Sequence, residues 1–497
     1  MNLLSSLYRP SLALLTDLYQ LTMAYAHWKT GSHNKQAVFH LYFRANPFAG
    51  GFTVACGLAR AREFLSSFGF AGDDLDYLRT LTGLDGSRLF DEGFLEYLRE
   101  LKLDCDIEAV DEGRVVFPSA PLLRVKGPII AAQLVETPLL NVINFETLIA
   151  TKAARIAIAA RGEPILEFGL RRAQGIDGAL AASRAAYIGG CSATSNVLAG
   201  RLFGIPVRGT HSHSWVMAFA SERESFEQFA LAMPGNCVFL VDTFHSLEGV
   251  AHAIEVGKTL KAGGHQLGGI RLDSGDLAYL SIEARRMLDE AGFKDAQILA
   301  SNELDENIIA SLREQGARVS VWGVGTRLIT GHDQAAMGCV YKLSAVRDPG
   351  GPWQSRMKLS EQAAKVSNPG IQQVRRYSSG TEYVGDMIWH EDPDTHAPPS
   401  PLMIDPLDLT RRRSFAPAQP FEDILKPLFR NGAFVGKEET IDAIRQRVVD
   451  DLERLHPGIK RFINPHVYPV GLGDSLFKMR AELLLALRGV PRDRLLP

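Results

Sequence analysis

Short apolar runs that end in small or polar residues recur from about residue 160, and amphipathic stretches of helical period separate them. The runs are PILEFG, AAYIGG, IPVRGT, CVFLVDT, LGGIRLDSGD, QILASNE and VSVWGVGT. Between them lie SLEGVAHAIEVGKTLKAGG, LAYLSIEARRMLDEAGF and DENIIASLREQGA, the last with Asp305 in an N-cap position. Thr210 and Asp242 are 32 positions apart, Asp242 and Asp273 are 31, and Asp273 and Ser301 are 28, which is the pitch of successive βα units. Strands alternating with helices predict a parallel sheet, and so long a run favours a (β/α) barrel over an open doubly wound sheet. A barrel presents its functional side chains on one rim, at the C-terminal ends of the strands. Arg171, Arg172, Thr210, His213, Asp242, Arg271, Asp273, Ser301 and Thr326 all fall there. Any one of them could be a turn or cap residue; the joint pattern carries the inference.

A chain of 497 residues is too long for one ordinary domain. Residues 1–135, with a helix over TDLYQLTMAYAHWKTG and strands over AVFHLYF and GRVVFP, are expected to form an N-terminal α/β domain. Residues 136–345 hold the barrel, and 346–497, rich in proline and glycine with a helical tail KMRAELLLALRGV, a smaller C-terminal domain. PDTHAPPSPL is expected to be a surface loop. A net charge of -3 offers no global field for nucleic acid or an anionic membrane. MNLLSSLYRP lacks a basic leader, and the apolar stretch from Pro128 is broken by Gln133, Glu136 and Glu146 before it reaches the roughly 20 residues of a membrane span. Five scattered cysteines without a CxxC pair argue against a disulfide framework or structural zinc, so a cytoplasmic protein is expected.

Four stretches carry chemistry. In VSVWGVGT, Gly323, Gly325 and Thr326 could cradle a phosphate or simply close a tight turn. In GGIRLDSGDL, Arg271 and Asp273 share one face of a strand, as a salt bridge or as a guanidinium for a substrate anion beside a carboxylate for ribose or metal-bound water. In EFGLRRAQG, Phe168 precedes Arg171 and Arg172, which are a solvated pair or a source of positive potential for a polyphosphate. GTHSHSW sets His211 and His213 two positions apart, as metal ligands, capping or core histidines, or a catalytic base or nucleophile.

Taken together, LLTDLYQLTMAY, FRANPFAGGF, EFGLRRAQGIDG, IGGCSATSNVLAG, GTHSHSW, GIRLDSGDL, ASNELDE, VWGVGT, GCVYKL, RMKLSE and the K-x-S-N-P-G of Lys365 to Gly370 resemble the nicotinate phosphoribosyltransferase family over most of the chain. The resemblance implies an irregular (β/α) barrel, type II phosphoribosyltransferase-like, with an N-terminal α/β domain and a smaller C-terminal region. It also implies a homodimer with shared active sites. The implied reaction joins nicotinate and phosphoribosyl pyrophosphate, with Mg2+ and with ATP hydrolysed through a phosphohistidine, to give nicotinate mononucleotide for NAD synthesis. By the same resemblance His213 is the phosphohistidine, and Tyr19, Phe168, Thr210 and Arg271 hold nicotinate, Tyr19 from the partner subunit. Thr326 and Gly325 meet the 5′-phosphate, and Arg171 and Asp273 hold pyrophosphate and ribose. Ser212 stands where members often have alanine, and His211 matches only some of them. No metal ligands are implied.

Overall fold

The computed structural model describes residues 11–362, 365–391 and 397–489; MNLLSSLYRP and the PDTH of PDTHAPPSPL lie outside the described residues. The chain divides into two compact units, the first built from 1–147, 336–440 and 449–497 and the second from 148–335 and 441–448.

In the first unit the expected helix runs Leu18–Lys29, with Asp17 at its N-cap and Gly31 (φ 72°) closing it in a left-handed conformation. The Asp17 carboxylate does not cap a helix amide; it accepts from the Thr137 hydroxyl at 2.7 Å. Strand Gln36–Phe43, buried at every position but its first, lies inside a seven-stranded antiparallel sheet between Cys339–Arg347 and Leu123–Pro128. Its near-continuous apolar run fits a strand covered on both faces.

A six-stranded sheet in the same unit pairs Glu382–His390 with Gln372–Ser379 antiparallel and with Val470–Gly473 parallel. At its heart the Arg376 guanidinium meets the Asp386 carboxylate through two parallel bonds of 2.9 and 2.7 Å, both side chains fully buried. Tyr468 donates its hydroxyl to the same carboxylate at 2.9 Å, and its ring stacks on Phe117. The apolar stretch from Pro128 forms two helices, Ile129–Leu134 and Glu136–Ala160, and no helix among the described residues is long and apolar enough to cross a membrane.

The second unit is the barrel. Its parallel strands are β1 (Ile165–Glu167), β2 (Ala193–Thr194), β3 (Val238–Leu240), β4 (Gly269–Leu272), β5 (Gln297–Ala300) and β6 (Val321–Val324). Their order is β2-β1-β6-β5-β4-β3: β3 to β6 follow one another in sequence, the last strand returns to pair with β1, and β2 and β3 stand at the two ends. That cyclic order belongs to a barrel; a doubly wound sheet would reverse at a switch point. A parallel bridge from Thr194 to Val207 extends it beyond β2.

Helices Ser246–Ala262, Leu277–Glu290 and Glu306–Glu314 cross between strands as the periodicity predicts, and Asp305 accepts the amides of Asn307 and Ile308. AAYIGG, expected as a strand, is instead the end of helix Gly175–Gly189, with Gly190 (φ 133°) terminating it. The alanines upstream extend a helical burial pattern (Ala179, Ala182, Ala186), and alanine's helix preference outweighs the short apolar run. IPVRGT likewise supplies only the bridging Val207.

Candidate functional site

The ends of β4 and β5 and the turn at Thr210 converge on one guanidinium. On β4, Ile270 and Leu272 are buried in the core while Arg271 and Asp273 alternate onto the opposite side. Arg271 donates from Nε to the Ser301 hydroxyl (2.8 Å), from Nη1 to the Thr210 hydroxyl (3.1 Å) and from Nη2 to Asp273 Oδ1 (3.0 Å). Its guanidinium carbon lies 5.6 Å from the centre of the Phe168 ring. Phe168 is anchored by its backbone amide, which donates to the Val324 carbonyl at 2.8 Å. Gly323 makes room for it, since a Cβ there would come within 3.0 Å of the ring and 3.2 Å of the Ser301 Cβ. The cation is thus fixed on three sides with a flat aromatic face beside it, a geometry suited to a planar anionic ligand.

His213 begins a short helix, His213–Met217. Its Nδ1 is 3.1 Å from the Thr243 hydroxyl, and its Nε2 faces Asp273 Oδ2 at 3.7 Å, with the ring 40% exposed. One nitrogen is anchored while the other points at a carboxylate in solvent reach, the arrangement of a histidine whose free nitrogen can accept a group. Asp242 ties the rim together: its Oδ2 accepts from the Asp273 amide (2.9 Å) and the Ser274 hydroxyl (2.6 Å).

The two histidines of GTHSHSW separate completely. His211 is buried among Phe226, Phe229 and Phe239, and its Nε2 accepts the Leu240 amide at 3.2 Å. Extended spacing would put both on one side, but the turn into the helix at His213 swings the second ring away. Burial pushes His211 down from 6.5 to about 4. Between those values the unfolded chain binds a proton that the folded one does not, so this stability is fully present above pH 6.5 and is lost as pH falls toward 4. The two values amount to about 3 kcal/mol. His211→Gln, which keeps an acceptor for Leu240, is expected to flatten the dependence of the denaturant midpoint on pH between 6.5 and 4; an unchanged slope would refute the assignment.

The remaining expected residues are less tightly joined. Thr326 opens helix Thr326–Ile329 behind Gly325, and its hydroxyl donates to Glu303 at 3.1 Å, while Arg327 pairs with Asp305. Arg171 and Arg172 follow β1 in a 3-10 turn with exposed guanidiniums and no acidic partner among the described residues. Tyr19 lies in the first unit, 48% exposed on helix Leu18–Lys29.

Two residues of the site escaped the sequence reading. Thr243 follows Asp242 at a strand end, where a hydroxyl within βα-unit distance of a rim histidine is the available signal. Glu167, 1% exposed, accepts from Ser183 (2.9 Å), Thr194 (2.6 Å) and the Gly169 amide, and so holds the turn that leads from β1 to Arg171.

For a divalent cation, Asp242 and Asp273 offer hard oxygens, and Asp242 Oδ1 is buried without a hydrogen-bond partner, which fits magnesium's habit of using one or two carboxylates together with substrate phosphates. The one group of three metal-type ligands among the described residues, Cys56, Glu112 and Glu146, is buried in the first unit, where Glu112 accepts the Gly57 amide at 2.6 Å and Glu146 pairs with Arg60 at 3.3 Å.

Comparison with known proteins returned concordant matches. Three family models cover the chain: the nicotinate phosphoribosyltransferase (NAPRTase) N-terminal domain over residues 14–144, the NAPRTase family over 164–349 and the NAPRTase C-terminal domain over 371–480. A nicotinate phosphoribosyltransferase of Bacillus subtilis is 43% identical over 487 residues, covering 95% of each chain. Nicotinate phosphoribosyltransferase 2 of Arabidopsis thaliana is 39% identical over 93% of this chain and 92% of its own. The crystal structure of human nicotinic acid phosphoribosyltransferase superposes with a TM-score of 0.81 at 32% identity, over 94% of this chain and 99% of that one. A nicotinate-nucleotide pyrophosphorylase from Pyrococcus furiosus shares the fold, with a TM-score of 0.67 at 22% identity over 89% of this chain and 95% of that one.

Proposed function

The chain belongs to the nicotinate phosphoribosyltransferase family, and from that premise we propose that it is an ATP-coupled cytoplasmic enzyme of NAD synthesis, joining nicotinate to C1 of phosphoribosyl pyrophosphate. The products are nicotinate mononucleotide and pyrophosphate, with ATP cleaved to ADP and phosphate. The observation that carries this reading is the Arg271 guanidinium, held by Thr210, Ser301 and Asp273 beside the face of Phe168.

The nicotinate carboxylate pairs with Arg271 and its ring lies against Phe168, which leaves the pyridine nitrogen free to attack. That nitrogen needs no general base, because its lone pair lies in the ring plane and carries no proton. As the bond from C1 to pyrophosphate lengthens, positive charge grows on the ribose and negative charge on the leaving group. The Asp273 carboxylate stabilises the first and the exposed Arg171 the second. Thr326 and the amides after Gly325 receive the 5′-phosphate. Asp242 and Asp273 would hold magnesium, which would supply charge neutralisation of the pyrophosphate leaving group.

His213 accepts the γ-phosphoryl group of ATP at Nε2: the new N–P bond forms as the bond to ADP breaks, and water later returns the histidine and releases phosphate. The added charge beside Asp273 alters substrate affinity, so hydrolysis on each turnover drives synthesis. The exposed apolar residues Leu15, Leu18, Tyr19 and Met23 in the first unit and Val197 and Leu202 in the second support a homodimer in which Tyr19 of the partner subunit stacks on nicotinate.

The test is product formation from phosphoribosyl pyrophosphate with labelled nicotinate or nicotinamide, each with and without ATP, and ADP followed in the same tube. Mononucleotide from the acid with matching ADP release is expected; reaction of the amide alone would overturn the Arg271 assignment. His213→Ala should keep slow synthesis from nicotinate but release no ADP coupled to it. An unchanged ratio of ADP to product in that variant would remove the phosphohistidine.

A further inference from the structure

The loop that leaves β5 through SNELDE is fixed at both ends and strained in the middle. At one end the Ser301 amide donates to the Leu272 carbonyl at 2.8 Å, and the Ser301 hydroxyl accepts from Arg271 Nε. At the other, Leu304 is buried and Asp305 caps helix Glu306–Glu314. Between them Asn302 sits at φ 115°, beyond the left-handed well that asparagine tolerates, and the Leu304 amide donates back to the Asn302 carbonyl at 2.8 Å. Glu303 is left at the tip of this tight turn. Strain of this kind persists only where the surroundings over-determine it, and its effect here is to carry one carboxylate to Thr326.

Glu303, with a side chain 56% exposed, accepts the Thr326 hydroxyl on Oε1 at 3.1 Å, while its Oε2 lies 3.9 Å from Arg327 Nε. The first contact is a hydrogen bond; the second is too long for one. Arg327 Nη1 is taken by Asp305, but its Nε is buried with no hydrogen-bond partner among the described residues. One carboxylate thus stands beside two donors and satisfies one of them. The donor it satisfies is the hydroxyl assigned above to the 5′-phosphate. A carboxylate and a phosphate dianion cannot share it, because a hydroxyl has a single proton to give and like charges at that distance repel.

We propose that Glu303 is an internal stand-in for the 5′-phosphate, which occupies the Thr326 hydroxyl in the empty enzyme and crosses to Arg327 Nε when the substrate's phosphate arrives. The inference rests on the reading of Thr326 as the phosphate contact. Displacement frees the hydroxyl and completes the guanidinium in one movement, so the count of hydrogen bonds is kept. What remains is a charge effect. Glu303 weakens every ligand that carries a 5′-phosphate, substrate and product alike, and returns to Thr326 as the product leaves.

The test is inhibition by ribose 5-phosphate, competitive with phosphoribosyl pyrophosphate, in the wild type, Glu303→Gln and Thr326→Val. Glu303→Gln keeps the shape and an acceptor for Thr326 while removing the charge. It should lower both the inhibition constant of ribose 5-phosphate and the KM for phosphoribosyl pyrophosphate by about two- to fivefold, the size of an exposed charge contact, and leave the KM for nicotinate unchanged. The gap between the two enzymes should narrow as salt is added. Thr326→Val should weaken ribose 5-phosphate. A purely structural Glu303 would show no gain in affinity, so equal or weaker binding in Glu303→Gln, with Thr326→Val impaired, overturns the proposal alone. Wild-type binding in Thr326→Val would remove the phosphate contact itself, and the proposal with it.

Discussion

Arg271→Ala should lower kcat/KM for nicotinate by about 10²–10³-fold, because truncating one side of a desolvated, hydrogen-bonded charge pair costs roughly 2–5 kcal/mol. The side chain is only 14% exposed, so water does not replace the lost donors freely. The substitution also releases Thr210, Ser301 and Asp273, which now spend their acceptors on this guanidinium. Arg271→Lys should recover little: an ammonium cannot bridge three partners from one plane. Saturation curves for nicotinate and for phosphoribosyl pyrophosphate separate the possibilities. A rise in KM confined to nicotinate supports the carboxylate role, whereas equal loss for both substrates would assign Arg271 to the architecture of the rim.

The second large effect lies in the six-stranded sheet of the first unit. Asp386→Ala should destabilise that unit by about 3–5 kcal/mol, since it strands a fully buried arginine. Tyr468 loses its acceptor at the same time, and among the described residues Arg376 keeps Asp451 at 3.7 Å and the faces of Tyr383 and Phe117. Replacing both partners, Arg376→Met with Asp386→Leu, should restore most of the loss, because apolar residues of similar volume need no counter-charge. Denaturant midpoints of the wild type, the single and the double variant decide it. A double variant no better than Asp386→Ala would mean that the pair holds the sheet through its specific bonds rather than through charge balance.

The barrel was legible because its signal is repeated. Seven runs, four of them at a pitch of 28 to 32 residues, outweigh an error in any one, and the two that proved not to be full strands, AAYIGG and IPVRGT, did not change the fold class. AAYIGG misled because six residues cannot distinguish a buried helix end from a buried strand; the alanines before it settle the matter. The rim was legible where alternation fixes direction, as for Arg271 and Asp273 on β4. It was not legible where a turn intervenes: the divergence of His211 and His213 depends on where a helix begins, and the pairing of Thr243 with His213 joins residues 30 apart through tertiary structure alone. Glu167 was hidden for another reason, since an acid inside an apolar run is invisible until its three donors are known. The buried Arg376–Asp386 pair was equally silent, because the spacing of two charged residues on adjacent strands depends on a register that sequence does not state.

The rim bonds run from strand to strand without a break: Thr210 to Arg271, Arg271 to Ser301 and Asp273, Asp273 back to Asp242. Losses measured one residue at a time will therefore not be additive. Each truncation disturbs partners shared with the next, so separate losses at Thr210, Arg271, Asp273 and Ser301 should sum to more than the loss in a chain lacking all four. The meaningful quantity for this chain of rim residues is the coupling energy between pairs, and double-mutant cycles around it would trace which strand ends act as one unit.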